Sequence, residues 1–158
     1  MKLRPWNGPA PPAVDPAVEQ RRQQAAQRMR SMADEIRRVL SPLTGSGQVN
    51  VTEGAFGVSV EINASLLFAP GEAALGTNAV SALQAVAQVL APAEFPITVE
   101  GHTDNVPIST FRFPSNWELS AVRASTVARL FIDNGVAPPR LTAAGYADQR
   151  PVADNADE

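Results

Sequence analysis

No cysteine occurs anywhere in the 158-residue chain, so disulfides and thiolate metal sites are excluded. That absence suits an oxidising compartment as well as a reducing one and selects neither. No run of about 18 uninterrupted apolar residues is present, so no segment written here reads as a membrane-spanning helix. The N-terminus, MKLRPWNGPAPP, lacks the apolar centre of a secretory signal, and the sequence as written carries no address. Histidine occurs once, at His102, and one histidine among scattered carboxylates is a poor metal set. Basic residues are scarce beyond the N-terminal arm: residues 1–44 hold eight Lys/Arg against four acids, the remainder five against twelve. An acidic body argues against nucleic acid as a partner, because phosphate binding needs a basic face.

What is present is enough apolar material, 44% of the residues with 18% charged, for one packed domain and an extension. Five prolines within residues 5–16 read as an extended linker, residues 1–16. Residues 17–44 are rich in Gln, Arg and Ala and predict a helix with proline in its first turn. Its apolar positions Val18, Ala25, Met29, Met32, Ile36 and Val39 alternate three- and four-residue steps. Two readings stay open for that helix: it lies on its own domain, or it pairs with a second copy to make a dimer. Ser41-Pro42 and Gly45-Ser46-Gly47 mark the entry to a body at 48–158.

Within the body, residues 48–62 alternate apolar and polar and predict a hairpin turning at Glu53-Gly54. Leu66-Leu67-Phe68 is a short apolar run closed by Ala69-Pro70-Gly71-Glu72. Helical spacing then covers 73–91, to a stop at Pro92. A strand over 95–101 leads through a Pro-, Ser- and Phe-bearing loop to Ser115-Asn116-Trp117-Glu118, a capping-box start. That helix stops at Asn134-Gly135, and a last strand covers 140–146. The order predicts an α+β or α/β sandwich: a mixed sheet with helices packed on one face, preceded by the N-terminal helix.

His102 and Asp104 share one side of a strand end and invite a catalytic dyad. The candidate nucleophiles Ser109, Ser115 and Ser120 sit on no glycine-flanked elbow, and Ser115 is better explained as a cap, so enzyme chemistry is set aside. Asp104 and Arg123 fit better as a receptor pair: a carboxylate that accepts from an ammonium, and a guanidinium fork that matches a carboxylate. A zwitterionic, amino-acid-like ligand suits them, and direct pairing of the two to brace the loop is the structural alternative. Trp117 reads as a packing residue rather than a sugar platform, because it opens an amphipathic helix. Phe111 and Phe113 read either as cover for the domain or as a partner surface. Tyr146 reads as core or rim, and Arg112 and Arg140 as solvated charges.

The motifs Gly101-His102-Thr103-Asp104, Leu119-Ser120 through Arg123-Ala124, Asn134-Gly135, Gly145-Tyr146 and the nearby Pro151 occur in one order. Across roughly 48–155 they resemble the OmpA-like peptidoglycan-binding domain. The longer variant from Asn105-Val106-Pro107-Ile108 to Pro114-Ser115-Asn116-Trp117-Glu118 is similar to flagellar stator proteins of the MotB type, including the MotD-like group. Porins and peptidoglycan-associated lipoproteins usually differ there.

The resemblance implies that Asp104 and Arg123 hold the diaminopimelate of a peptidoglycan stem peptide. Thr103, Asn116, Leu119, Gly71 and Glu72 are implied as further contacts. No catalysis, cofactor or metal follows from it. It implies a periplasmic wall anchor for a flagellar stator, a homodimer, and a MotA-type channel subunit reached through an inner-membrane helix. The alternative is a general envelope anchor of the porin or lipoprotein kind. Stator relatives carry a membrane helix before the domain and a G-R-x-x-N-R-R-V-E-like strand after it. Neither is written here, and Met1-Lys2-Leu3 is expected to begin a fragment.

Overall fold

The computed structural model describes residues 15–43, 48–54 and 57–149. The Pro-rich linker before residue 15, the Gly45–Gly47 break and Pro151 lie outside these. Helix α1 (Pro16–Val39) begins where predicted: Asp15 caps it by accepting from the Ala17 N–H, with proline in the first turn. Its C-terminal half carries the packing. Ala33 and Ile36 are buried, followed by Leu40, whereas Val18 near the start is 41% exposed. Arg37 ties this half to the next element by donating to the Val51 carbonyl at 3.0 Å.

Strands β1 (Val49–Gly54) and β2 (Gly57–Ile62) pair antiparallel from Val49↔Ile62 to Gly54↔Gly57. Glu53-Gly54 is therefore strand rather than turn; the pairs Glu53↔Val58 and Gly54↔Gly57 keep the ladder running through it. A short 3₁₀ turn, Ala64–Leu66, precedes Leu67 and Phe68. Helix α2 (Thr77–Leu90) starts four residues later than the apolar spacing predicts. Residues 73–75 are held out of the helix instead, because Leu75 bridges Phe68 and the Gly76 N–H donates to the Leu67 carbonyl.

Strand β3 (Ile97–Gly101) and β4 (Leu141–Gly145) pair in parallel, Ile97↔Leu141 through Gly101↔Gly145. Parallel neighbours need a crossover, and α3 (Asn116–Asp133) supplies it, packed on both strands. Among the described residues the sheet structure is these two ladders, in a mixed α/β fold with α1 ahead of it.

The core joins Ile36 of α1 and Leu40 just past its end, Leu83, Val86 and Leu90 of α2, Val127 and Phe131 of α3, and Phe68. A second, smaller cluster of Ala73, Phe113 and Leu119 lies under the long loop. Arg140 is not the solvated charge its sequence context predicts. Its Nη1 donates to the Leu90 carbonyl at 2.9 Å and its Nε to Phe95 at 3.0 Å. The last carbonyls of a helix lack intrahelical partners, and here an arginine from across the chain supplies the donors.

Candidate functional site

The site begins with how closely α3 approaches the strands. A Cβ added at Gly101 would lie 2.1 Å from the Ser120 carbonyl oxygen, and one at Gly145 would lie 2.5 Å from the Ala121 nitrogen. Only glycine fits at these two facing positions, so the helix backbone rests on the strand ends. Ser120, fully buried, donates to the Trp117 carbonyl at 3.1 Å and accepts from the Ala147 N–H at 3.0 Å. The Ala147 carbonyl in turn accepts from the Thr103 N–H at 2.8 Å. Thr103 and Asp104 are thus tied through Ala147 to the helix that carries Arg123.

Asp104 is exposed and turned by its own local geometry: its Oδ1 accepts from the Val106 N–H at 3.1 Å, an Asx-type turn. Asn116 donates to the Val106 carbonyl at 3.0 Å, so the helix start holds the same loop. Ser115 caps α3 by accepting from the Trp117 N–H, and its hydroxyl donates to the Glu118 carboxylate. That hydroxyl, with backbone N–H groups, holds the Glu118 carboxyl below its ordinary value.

Arg123 reaches across to the turn after Phe68. Its Nε donates to the Glu72 carbonyl at 2.8 Å, its Nη2 to Ala69 at 3.2 Å, and its guanidinium carbon lies 4.9 Å from the centre of the Phe68 ring. Pro70-Gly71 makes that turn possible: Gly71 has φ +70°, and the Glu72 N–H closes it on the Ala69 carbonyl at 3.0 Å. Burial lowers the Arg123 pKa from its ordinary value while the nearby Asp104 charge opposes the shift. Arg123 and Asp104 are close enough to feel each other, yet form no ion pair within 4.0 Å. The direct pairing alternative is therefore not what the structure adopts. Arg123 binds carbonyls, and among the described residues no donor reaches the second carboxylate oxygen of Asp104.

Both side chains line one cleft of about 1180 Å³ between the 63–76 segment and the 102–108 loop. Thr103, Asn116, Leu119 and Gly71 line it too. Glu72 does not line it; it contributes its carbonyl to Arg123 and its carboxylate lies 3.8 Å from exposed Arg112. His102 lines the cleft without forming the dyad considered from sequence. Its ring stacks on Tyr146 at 5.2 Å, its Nε2 is 3.8 Å from the Glu100 carboxylate, and its buried Nδ1 has no partner among the described residues. Ser109 is exposed, and Ser115 and Ser120 are committed to structural bonds.

One aromatic expectation changes. Trp117 is 51% exposed rather than packed, because Leu119 and Ser120 take the inward positions of the first helical turn. Phe113 is buried and Phe111 wholly exposed, so one ring covers the domain and the other faces water. The role of the Ala69 and Glu72 carbonyls was not visible from sequence; the Pro70-Gly71 turn was the available signal.

The OmpA family profile matches residues 67–158, a span that contains every cleft residue placed above beyond the 3₁₀ turn. The chain belongs to the OmpA family. The uncharacterised protein YtxE of Bacillus subtilis (strain 168) is 47% identical over 100 residues, 63% of this chain and 41% of that protein. Motility protein B of the same organism is 34% identical over 103 residues, 63% of this chain and 39% of that protein. The chain thus spans about two fifths of the length of these relatives.

Among solved structures, a MotB-like protein from Desulfovibrio vulgaris superposes with TM-score 0.72 at 29% identity, covering 84% of this chain and 86% of that one. The cell wall anchor of the T6SS from Pseudomonas aeruginosa gives TM-score 0.66 at 36% identity, covering 77% and 85%. The periplasmic domain of Helicobacter pylori MotB gives TM-score 0.64 at 28% identity, covering 72% and 71%. This OmpA-family chain is therefore related to MotB periplasmic domains and to a cell-wall anchor, and its mixed α/β fold is theirs.

Proposed function

We propose that this OmpA-family chain binds peptidoglycan without cleaving it, taking the diaminopimelate end of a stem peptide into the cleft between Asp104 and Arg123. One observation carries the reading: a carboxylate and a guanidinium line the same cleft without pairing, and among the described residues one carboxylate oxygen and Nη1 have no partner. The free end of diaminopimelate bears an ammonium and a carboxylate on one carbon. Asp104 accepts from the ammonium, and Arg123, aimed by the Ala69 and Glu72 carbonyls, donates to the carboxylate. Thr103, Asn116 and Leu119 form the adjoining wall, with Gly71 opposite.

The biological role in this proposal is to anchor a flagellar stator unit to the wall from the periplasm. The relation to motility protein B and to MotB periplasmic domains supports it. An upstream inner-membrane helix, a MotA-type partner and a homodimer complete the picture. The 36% identity to the T6SS wall anchor favours a second reading, a wall anchor for a different envelope machine. Both share the cleft chemistry.

Co-sedimentation with purified peptidoglycan tests the common part. Wild-type chain should pellet with the wall and release no soluble fragments, and Asp104→Ala should abolish most of that pelleting while keeping the wild-type thermal midpoint. Undiminished pelleting of Asp104→Ala, or soluble fragments in the supernatant, would sink the proposal. Arg123→Ala should lose binding as well. It also strips the 69–72 turn of two donors, with about 1–2 kcal/mol of stability expected to go with them.

A further inference from the structure

Large apolar side chains face water on the two stretches that wall this cleft. Val106 is 60% exposed, Phe111 103% and Trp117 51%. Val106 and Ile108 line the cleft from the loop, and Asn116 and Leu119 from the helix start; Phe111 and Trp117 rise from those same two stretches. The loop around Phe111 is firmly held. The Thr110 N–H donates to the Phe113 carbonyl at 2.9 Å, the Phe113 N–H to the Thr110 hydroxyl at 2.9 Å, and Phe113 itself is buried beside Leu119 and Ala73. A fully exposed ring on so well-anchored a turn is open to contact from solution.

The charges nearest the two rings have partners of their own: Arg112 lies 3.8 Å from Glu72, and the Glu118 carboxylate accepts from the Ser115 hydroxyl. Exposed Asn105, Ser109 and Thr110 add uncharged hydrogen-bonding groups between the apolar ones. Aromatic faces flanked by neutral polar groups suit a saccharide, whose C–H faces stack on rings while its hydroxyls find the polar side chains. We infer that Phe111 and Trp117 form a glycan-stacking rim, which takes the amino-sugar part of the same polymer whose peptide enters the cleft. The inference rests on the stem-peptide reading of the cleft: a peptide bound there carries its attached sugar to the cleft edge.

Titration calorimetry with two soluble probes separates the two ideas. One probe is a disaccharide-linked stem peptide, the other the stem peptide alone. The wild-type chain should bind the disaccharide form more tightly. The double variant Phe111→Ala/Trp117→Ala should lose about tenfold on that probe and nothing on the free peptide. Phe111→Ala alone, at a residue with no burial to lose, should show part of the same selective loss, and Phe111→Trp should retain binding.

Wild-type protein that binds both probes equally overturns the rim and leaves the cleft standing. Equal losses on both probes, or no loss on either, also overturn it, as does a rim needed only to capture another protein. Wild-type protein that binds neither probe overturns the cleft reading and this inference with it.

Discussion

Ser120 has no exposed surface and makes no contact with the open cleft that would single it out, yet it joins the two halves of the site. Its hydroxyl is the acceptor for the Ala147 N–H, and Ala147, at φ +50°, accepts from Thr103 beside Asp104. Ser120→Ala removes that acceptor and leaves a buried donor unpaired, so it should cost about 1–3 kcal/mol in urea denaturation. Wall binding should weaken beyond what the residual folded fraction explains, because Asp104 loses its tie to α3. Gly101→Ala is the harsher change. Its new methyl group would meet helix backbone rather than a flexible side chain, so a loss of about 3 kcal/mol or more is expected. A near-wild-type denaturation midpoint for Gly101→Ala would mean that α3 does not rest on the strand ends as described.

At the scale of elements, the start of α3 is a pH-sensitive fixture. The Glu118 carboxyl is held below its ordinary value by the Ser115 hydroxyl, so its contribution is fully present above the ordinary carboxylate range. It is lost as pH falls through the lowered folded-state value. Glu118→Gln should therefore flatten the acid limb of a plot of thermal midpoint against pH and leave the neutral region little changed. Parallel wild-type and variant curves down to the acid limit would remove the cap from this account. Helix α1 divides in a similarly testable way. Its last turns are built into the core through Ala33, Ile36 and Leu40, whereas its first half is mostly exposed. Deleting residues 1–28 should shift the thermal midpoint by no more than about 2 °C, while deletion to residue 44 should shift it by far more. The shorter deletion is also the one to use in light scattering for the proposed dimer, since it removes exposed helix without opening the core.

For the whole molecule, the sequence was legible where a local rule governs. The α1 start at Pro16, the Ser115 cap, the stop at Asn134-Gly135 and the strand pair on either side of α3 all follow from propensity, capping chemistry and alternation. It was misleading where a distant partner overrides the pattern. Residues 73–75 carry helical spacing but stay outside the helix, because Leu75 bridges Phe68. Arg140 resembles any surface cation until the Leu90 and Phe95 carbonyls are found beside it. Trp117 sits on an amphipathic helix, and no spacing rule told which of Trp117, Leu119 and Ser120 the strand ends would exclude.

The receptor pair divides along the same line. Sequence alone determined the chemistry available: an acidic body, one histidine, no thiols, and Asp104 and Arg123 flanking a loop at the ends of a strand and a helix. Whether those two charges cancel each other was decided only in three dimensions. The carbonyls of Ala69 and Glu72, some fifty residues away in the chain, claim the guanidinium, and the Val106 N–H claims one oxygen of the carboxylate. Side-chain spacing cannot report backbone carbonyls, which every residue carries, and only the packed fold says which of them point into the cleft.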